Sequence, residues 1–147
     1  ILNAARHYQV EPALVKAVVW KESRFDAQAI GTAKEVGLMQ IRVPAAQEWA
    51  KAEKCGFEPR MLADPAANTQ IGTWYLAKML KRYAQTDNPA VYALADYNAG
   101  RSNVLRWNRG AAATNSAAFL AQMDFPGTRR YIADISDRHA WYKTRFP

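Results

Sequence analysis

Apolar residues recur along most of this chain at intervals of three and four rather than in alternation, and that period predicts helices. From Pro12 to Lys21, Leu14, Val15, Val18 and Val19 keep helical spacing, and Pro12 takes an early position where its missing N–H costs nothing. The pattern is that of a buried helix. Ser23 to Glu35 is polar, carries Gly31 and holds no lasting period. It leads into Gly37-Leu38-Met39-Gln40-Ile41, a short strand or a loop, so the irregular part of the chain is expected here. Pro44 opens a helix to about Lys54, with Gly56 as its expected stop. Asp64-Pro65 then supplies an N-cap and a first-turn proline, after which Asn68, Ile71, Gly72, Tyr75, Leu76, Met79 and Tyr83 line one long face.

Asn88-Pro89 repeats that opening, and Val91, Leu94 and Ala95 carry a helix into Tyr97-Asn98-Ala99-Gly100, where Gly100 suits the residue just past a helix end. A short helix is expected near Ser102 to Asn108. Thr114 and Thr128 are candidate caps for two more, the last running from about Arg129 to Tyr142 with Tyr131, Ile135 and Tyr142 on one side. No repeat or low-complexity tract interrupts the series. The fold class this predicts is mostly α, with little or no β structure.

Composition narrows the picture. With 147 residues, half of them hydrophobic and 22% charged, the chain suits one folded domain over 1–147, expected to be a monomer. No stretch approaches the roughly 18–20 apolar residues of a membrane span. Twenty Lys and Arg against 13 Asp and Glu give +7, a charge that raises encounter rates with polyanions: nucleic acid, anionic lipid or bacterial wall. Those basic residues are spread out rather than ranked along one helix face, so nucleic acid is not the expected partner. Cys55 is single and suits helix-end packing, and His7 and His139 lie far apart, so neither a disulfide, a metal nor a cofactor is expected. A start at Ile1 without a leader points to a processed chain or an excised domain.

The candidate chemistry begins with Glu22. Leu14, Val18 and Glu22 are each four apart, so the carboxyl continues an apolar stripe, where desolvation would raise its pKa and suit it to donate a proton near neutral pH. The other reading ends the helix at Lys21 and turns Glu22 outward to pair with Lys21 or Arg24.

Four blocks in order, Glu22-Ser23, Gly37-Leu38-Met39-Gln40, Asp64-Pro65 with Asn68, Ile71, Gly72, Tyr75 and Leu76, and Tyr97-Asn98-Ala99-Gly100, resemble the catalytic domain of soluble lytic transglycosylases of the Slt type. That family belongs to the lysozyme-like superfamily, and the likeness covers about Val10 to Tyr131. It implies a helical domain with a groove for peptidoglycan glycan strands, in the periplasm or cell envelope of a bacterium. The implied reaction cuts the β-1,4 bond after N-acetylmuramic acid without water and leaves a 1,6-anhydromuramoyl end. Glu22 would protonate the departing oxygen and then, as carboxylate, deprotonate the attacking C6 hydroxyl. The substrate's own N-acetyl oxygen would shield the cationic centre, a role most glycosidases give to a second carboxylate.

Within the resemblance, Gln40 is the candidate for the N-acetyl group because an amide both donates and accepts; satisfying loop backbone is its alternative. Met39 pairs with it as groove floor. Tyr97 would position the reacting sugar, Asn98 would hold backbone or substrate, and Tyr131, in Thr128-Arg129-Arg130-Tyr131, comes near the cleft or else packs the core. Ser23 supports the acid by capping or orienting. Arg42 stands where the family has an apolar residue and could reach carboxylates of the peptide or lactyl groups. Gly31 replaces a serine usual nine residues after the acid. The competing readings are a lysozyme- or chitinase-type hydrolase and a non-catalytic cationic module. A hydrolase would need a second acid: Asp26 and Glu35 read as solvated loop charges, and Asp96, one helical step of about 100° from Tyr97, is expected to point away from the site.

Overall fold

The computed structural model describes residues 1–145, and eight α-helices carry most of them. The end of the expected domain, at residue 147, lies outside the described residues. Two compact units emerge, one built from Ile1–Tyr75 with the chain from Arg138 onward, the other from Leu76–Asp137.

In the first unit, α1 spans Leu2–Tyr8 and α2 Pro12–Ser23. The sequence pattern gave no sign of α1. Seven residues hold too few apolar positions to show a period, and a helix this short stands only by packing, here through Ala4 and Ala5. Gln9 ends it in the left-handed conformation, and Val10 folds back to donate its N–H to the Ala5 carbonyl at 2.9 Å. Ala13, Leu14, Val15, Ala17, Val18 and Val19 are all buried, so α2 is covered on nearly every side. Residues 24–42 form neither helix nor strand. Two isolated bridges, Ile30 with Val36 and Val36 with Ile41, fold the segment on itself, as its lack of period predicted.

Helix α3 runs Val43–Glu53 with Pro44 in its first turn. Its stop is Lys54 rather than Gly56: Lys54 adopts φ 54° and donates to the carbonyls of Ala50 and Lys51, which closes the helix before the glycine is reached. Cys55 follows and is exposed, not packed. A 3₁₀ turn at Pro59–Ala63 precedes α4, Pro65–Arg82, which Asp64 caps by accepting the Ala67 N–H at 2.8 Å.

In the second unit, the end of α4 is followed by α5 (Pro89–Ala99), α6 (Arg101–Trp107), a 3₁₀ turn at Gly110–Ala113, α7 (Ser116–Gln122) and the start of α8 (Pro126–Lys143). Aromatic rings make its core: Tyr92 stacks on Phe119 at 4.2 Å between centroids and on Tyr83 at 5.8 Å, and Trp107 meets Phe119 and Phe125 edge-on. Neither threonine is the cap its position suggested. Asn115 caps α7 by accepting the Ala118 N–H, and Thr128 lies inside the first turn of α8, where its hydroxyl has another partner. Of the five tryptophans, Trp49 and Trp107 are core, whereas Trp141 is 47% exposed.

Candidate functional site

Helix α2 runs through Glu22 to Ser23, so the reading that ends it at Lys21 does not hold. Glu22 therefore stays on the stripe of Leu14 and Val18, both buried, while it remains half-buried in the last turn. Arg24 closes the helix at φ 54° by donating its N–H to the Trp20 carbonyl. Next to the acid, Ser23 is buried, and its hydroxyl is shared between the carbonyls of Val19, at 3.1 Å, and Leu38, at 2.9 Å. With its one donor engaged by main chain, Ser23 serves to tie the end of α2 to the turn at 37–40 rather than to meet a ligand.

That turn is built from three polar side chains and two glycines. Asn68, completely buried on α4, accepts the Met39 N–H at 2.8 Å and donates to the carbonyls of Val36 and Leu62, each at 2.8 Å. Gly37 sits at φ 82°, where a side chain would be strained and would collide with the Asn68 amide. Gly72 lets α4 approach closely enough for Met39 to lie across it. Met39 is consequently fully buried and has no surface with which to touch a substrate; the sequence placed it too near the ligand. Gln40, at φ 50°, donates both amide hydrogens to loop carbonyls, to Ala29 at 3.1 Å and Gly37 at 3.0 Å. Only its Oε1 is left to offer, so the backbone-satisfying reading describes its donors and the donor-plus-acceptor role does not. Arg42, the N-cap residue of α3, is exposed.

Of the loop acids, Asp26 is exposed and accepts the Gln28 N–H, as a solvated turn residue should. Glu35 is different from expectation. It is half-buried, its carboxyl fills the space a Cβ at Gly31 would take, and among the described residues its buried Oε2 meets no donor. Glycine at 31 and glutamate at 35 thus depend on each other sterically.

In the second unit, three consecutive residues of α5 take three environments. Asp96 is 4% exposed, Tyr97 is half-buried and Asn98 is exposed, as steps of about 100° require. The Asp96 carboxylate receives the Arg82 guanidinium at 2.7 Å and the Tyr83 hydroxyl at 2.6 Å. Burial, and then the Asp96 charge, hold the Tyr83 phenol well above its ordinary pKa. So engaged, Asp96 has its carboxyl taken up by Arg82 and Tyr83. Thr128, itself buried, donates its hydroxyl to Asn98 Oδ1 at 2.8 Å, which turns the Asn98 amide N–H₂ outward. Tyr131 is 5% exposed, in the core position that was its alternative reading. Asn68 and Thr128 are the positioning residues that sequence reasoning undervalued. Asn68 did carry a signal, a polar side chain on an otherwise apolar face.

A cavity of about 350 Å³ opens in the first unit beside Asn3, His7, Ala66, Thr69 and Gln70, and none of the residues above lines it. Among the described residues no cluster of His, Cys, Asp and Glu could hold a metal, and no helix is long and apolar enough to cross a membrane.

The family model of the transglycosylase SLT domain matches residues 1–120. The X polypeptide of Escherichia coli is 34% identical over 146 residues, covering 90% of this chain and 82% of its own length. The soluble lytic murein transglycosylase of Escherichia coli is 29% identical over 138 residues, which are 92% of this chain but only 21% of that protein. In structure, the lytic transglycosylase Slt of Pseudomonas aeruginosa superposes over 98% of this chain and 23% of its own, with a TM-score of 0.89 at 21% identity. The helical, lysozyme-like fold is thereby shown, and this chain belongs to the transglycosylase SLT domain family, in the enzyme class of the lytic transglycosylases.

Proposed function

We propose that this domain cleaves the β-1,4 bond between N-acetylmuramic acid and N-acetylglucosamine in peptidoglycan, without water, to give 1,6-anhydromuramoyl ends. Glu22 acts first as acid on the glycosidic oxygen and then as base on the C6 hydroxyl. The observation that carries this is the position of Glu22: inside the last turn of α2, on an apolar stripe, yet only half-buried. A proton-transfer group needs that combination of fixed geometry and access.

The remaining residues divide by what they can still offer. Tyr97 positions the reacting sugar, and Asn98 presents an amide N–H₂ whose direction Thr128 sets. Arg42, exposed, meets carboxylates of the stem peptides. Ser23, Met39 and Gln40 hold the turn next to the acid, and Gln40 Oε1 is left as an acceptor for an N-acetyl N–H. The setting this substrate implies is the periplasm or envelope of a bacterium, with the domain acting as a monomer.

Mass spectrometry of soluble products from purified peptidoglycan, with wild type and Glu22→Gln, is the test. Anhydromuramoyl products, one water lighter than reducing ones, should form with wild type and fall by about 10²–10⁴-fold in the variant. Reducing ends would replace the proposal by a hydrolase, and undiminished product from Glu22→Gln would remove Glu22 from its role.

A further inference from the structure

The first unit carries, away from the proposed acid, a surface on which cations and aromatic rings interleave. The Arg24 guanidinium lies 3.8 Å from the Trp20 ring centroid and Arg138 lies 4.1 Å from the same ring. Arg138 also reaches Trp141 at 5.5 Å, and Arg145 covers Trp141 at 4.7 Å. Trp20 precedes Glu22 by two positions, about 200° round α2, so this surface and the acid lie on opposite sides of that helix.

Three features mark the surface as built for a partner. First, none of the three arginines is ion-paired among the described residues; Glu11, which does reach α8, is taken up by His139 at 2.7 Å and Lys143 at 3.4 Å. Guanidinium groups gathered round shared rings repel one another, and an arriving anion relieves that repulsion. Second, Arg24 and Phe25 both have left-handed backbone, at φ 54° and 66°. L-residues adopt that conformation only at a cost, and here it sets Arg24 against Trp20 and leaves Phe25 45% exposed. Third, Trp141 is 47% exposed although it is among the largest apolar side chains in the protein.

We propose that Arg24, Phe25, Arg138, Trp141 and Arg145 form a docking face for an anionic phospholipid surface. The charges suit any polyanion, and the rings decide among them. A nucleic acid would use aromatic faces to stack bases, and a glycan would use them to stack sugars. Those of Trp20 and Trp141 are instead occupied by guanidinium groups. What stays open is the periphery of Trp141 and the ring of Phe25, apolar surface that the headgroup boundary of a bilayer covers while the arginines meet lipid phosphates. The attachment is peripheral and reversible, and it does not depend on which bond the domain cuts.

Co-sedimentation with vesicles of phosphatidylcholine mixed with phosphatidylglycerol, against phosphatidylcholine alone, tests it on the whole chain. Wild type should bind the anionic vesicles, less so as salt rises. Each arginine at the lipid surface is worth about fivefold, so Arg138→Gln with Arg145→Gln should weaken binding by roughly 25-fold. Trp141→Ala should weaken it too and remove the blue shift of tryptophan emission on vesicles. Circular dichroism guards against misfolding, and Arg145→Glu, at an exposed helix end, supplies a variant that cannot disturb the core. Glu22→Gln should bind vesicles like wild type, which separates this face from the cleavage reaction. Equal binding to neutral vesicles, or wild-type binding by the arginine variants, would overturn the proposal. Tighter binding to duplex DNA, lost in the same variants, would overturn it in favour of a nucleic-acid surface.

Discussion

Two helix ends in this protein each carry an acid on an inward-turning stripe, and they have opposite fates. At the end of α2, Glu22 stays half-buried; at the end of α5, Asp96 is 4% exposed and locked to Arg82 and Tyr83. The difference lies in what the neighbouring residues do with the space around each carboxyl. Ser23 ties α2 to a turn through the Leu38 carbonyl while Glu22 beside it stays half-buried, whereas Arg82 and Tyr83 close over the Asp96 carboxyl. A carboxylate on an apolar stripe is thus a candidate for proton transfer only where it keeps access to solvent.

The comparison is broken most severely by removing the support behind Glu22. Asn68→Ala would orphan the Met39 N–H and the Leu62 carbonyl in the interior and the part-buried Val36 carbonyl at once. Unmade buried hydrogen bonds of this kind should cost roughly 3–5 kcal/mol in total, read as a lower midpoint in urea. Glycan cleavage should fall with it even under conditions where the variant is folded. Wild-type turnover in a folded Asn68→Ala protein would show that the 37–40 turn does not hold the acid's surroundings.

Asp96→Asn attacks the other helix end. It removes the charge opposite Arg82, and because Arg82 keeps a quarter of its side chain in water the loss should be about 2–3 kcal/mol, below that of a fully buried pair. The products should still end in anhydromuramoyl groups. A switch in product chemistry would instead restore Asp96 as a second acid and dissolve the contrast with Glu22.

How far these roles could be read in advance depends on range. Helices opened by Pro12, Pro44, Pro65 and Pro89 were legible because a proline and a periodic apolar face are local signals. So was the turn of about 100° that separates Asp96 from Tyr97, which needs only the helical repeat. Helix α1 was not, since its stability comes from packing. Nor were the partners of the candidate residues: the Gln40 donors go to Ala29 and Gly37, Thr128 bonds Asn98 thirty positions away, and Glu35 folds over Gly31. Each side chain has the right chemistry for a ligand or a cap, and only the tertiary structure shows the partner that claims it first.

Thr128→Val sharpens the second helix end without unfolding it. The change keeps the shape and removes the hydroxyl that orients Asn98. If the outward amide grips substrate, KM should rise about fivefold, the worth of one hydrogen bond, with kcat nearly unchanged, and Thr128→Ser should restore it. Equal loss in the serine variant would point to packing of the methyl group rather than to the direction of the amide.

The smallest effect tests whether carboxylate pairing alone, without burial, distinguishes an acid. Asp124 accepts from Arg106 at 2.6 Å and from the Trp107 indole at 2.7 Å, yet more than half of its side chain is in water. Those donors, Arg106 first and Trp107 second, lower its pKa from 3.8 to about 2. A carboxyl whose folded pKa lies below its unfolded value contributes stability above the unfolded value and loses it as pH falls through the folded one. Melting temperature should therefore decline a little more steeply between pH 3.8 and about 2 in wild type than in Asp124→Asn, and added salt should narrow the gap. Parallel curves would mean that solvent already screens the pair completely. It would then take burial as well as partners, as at Asp96, for an acid of this protein to become part of its frame.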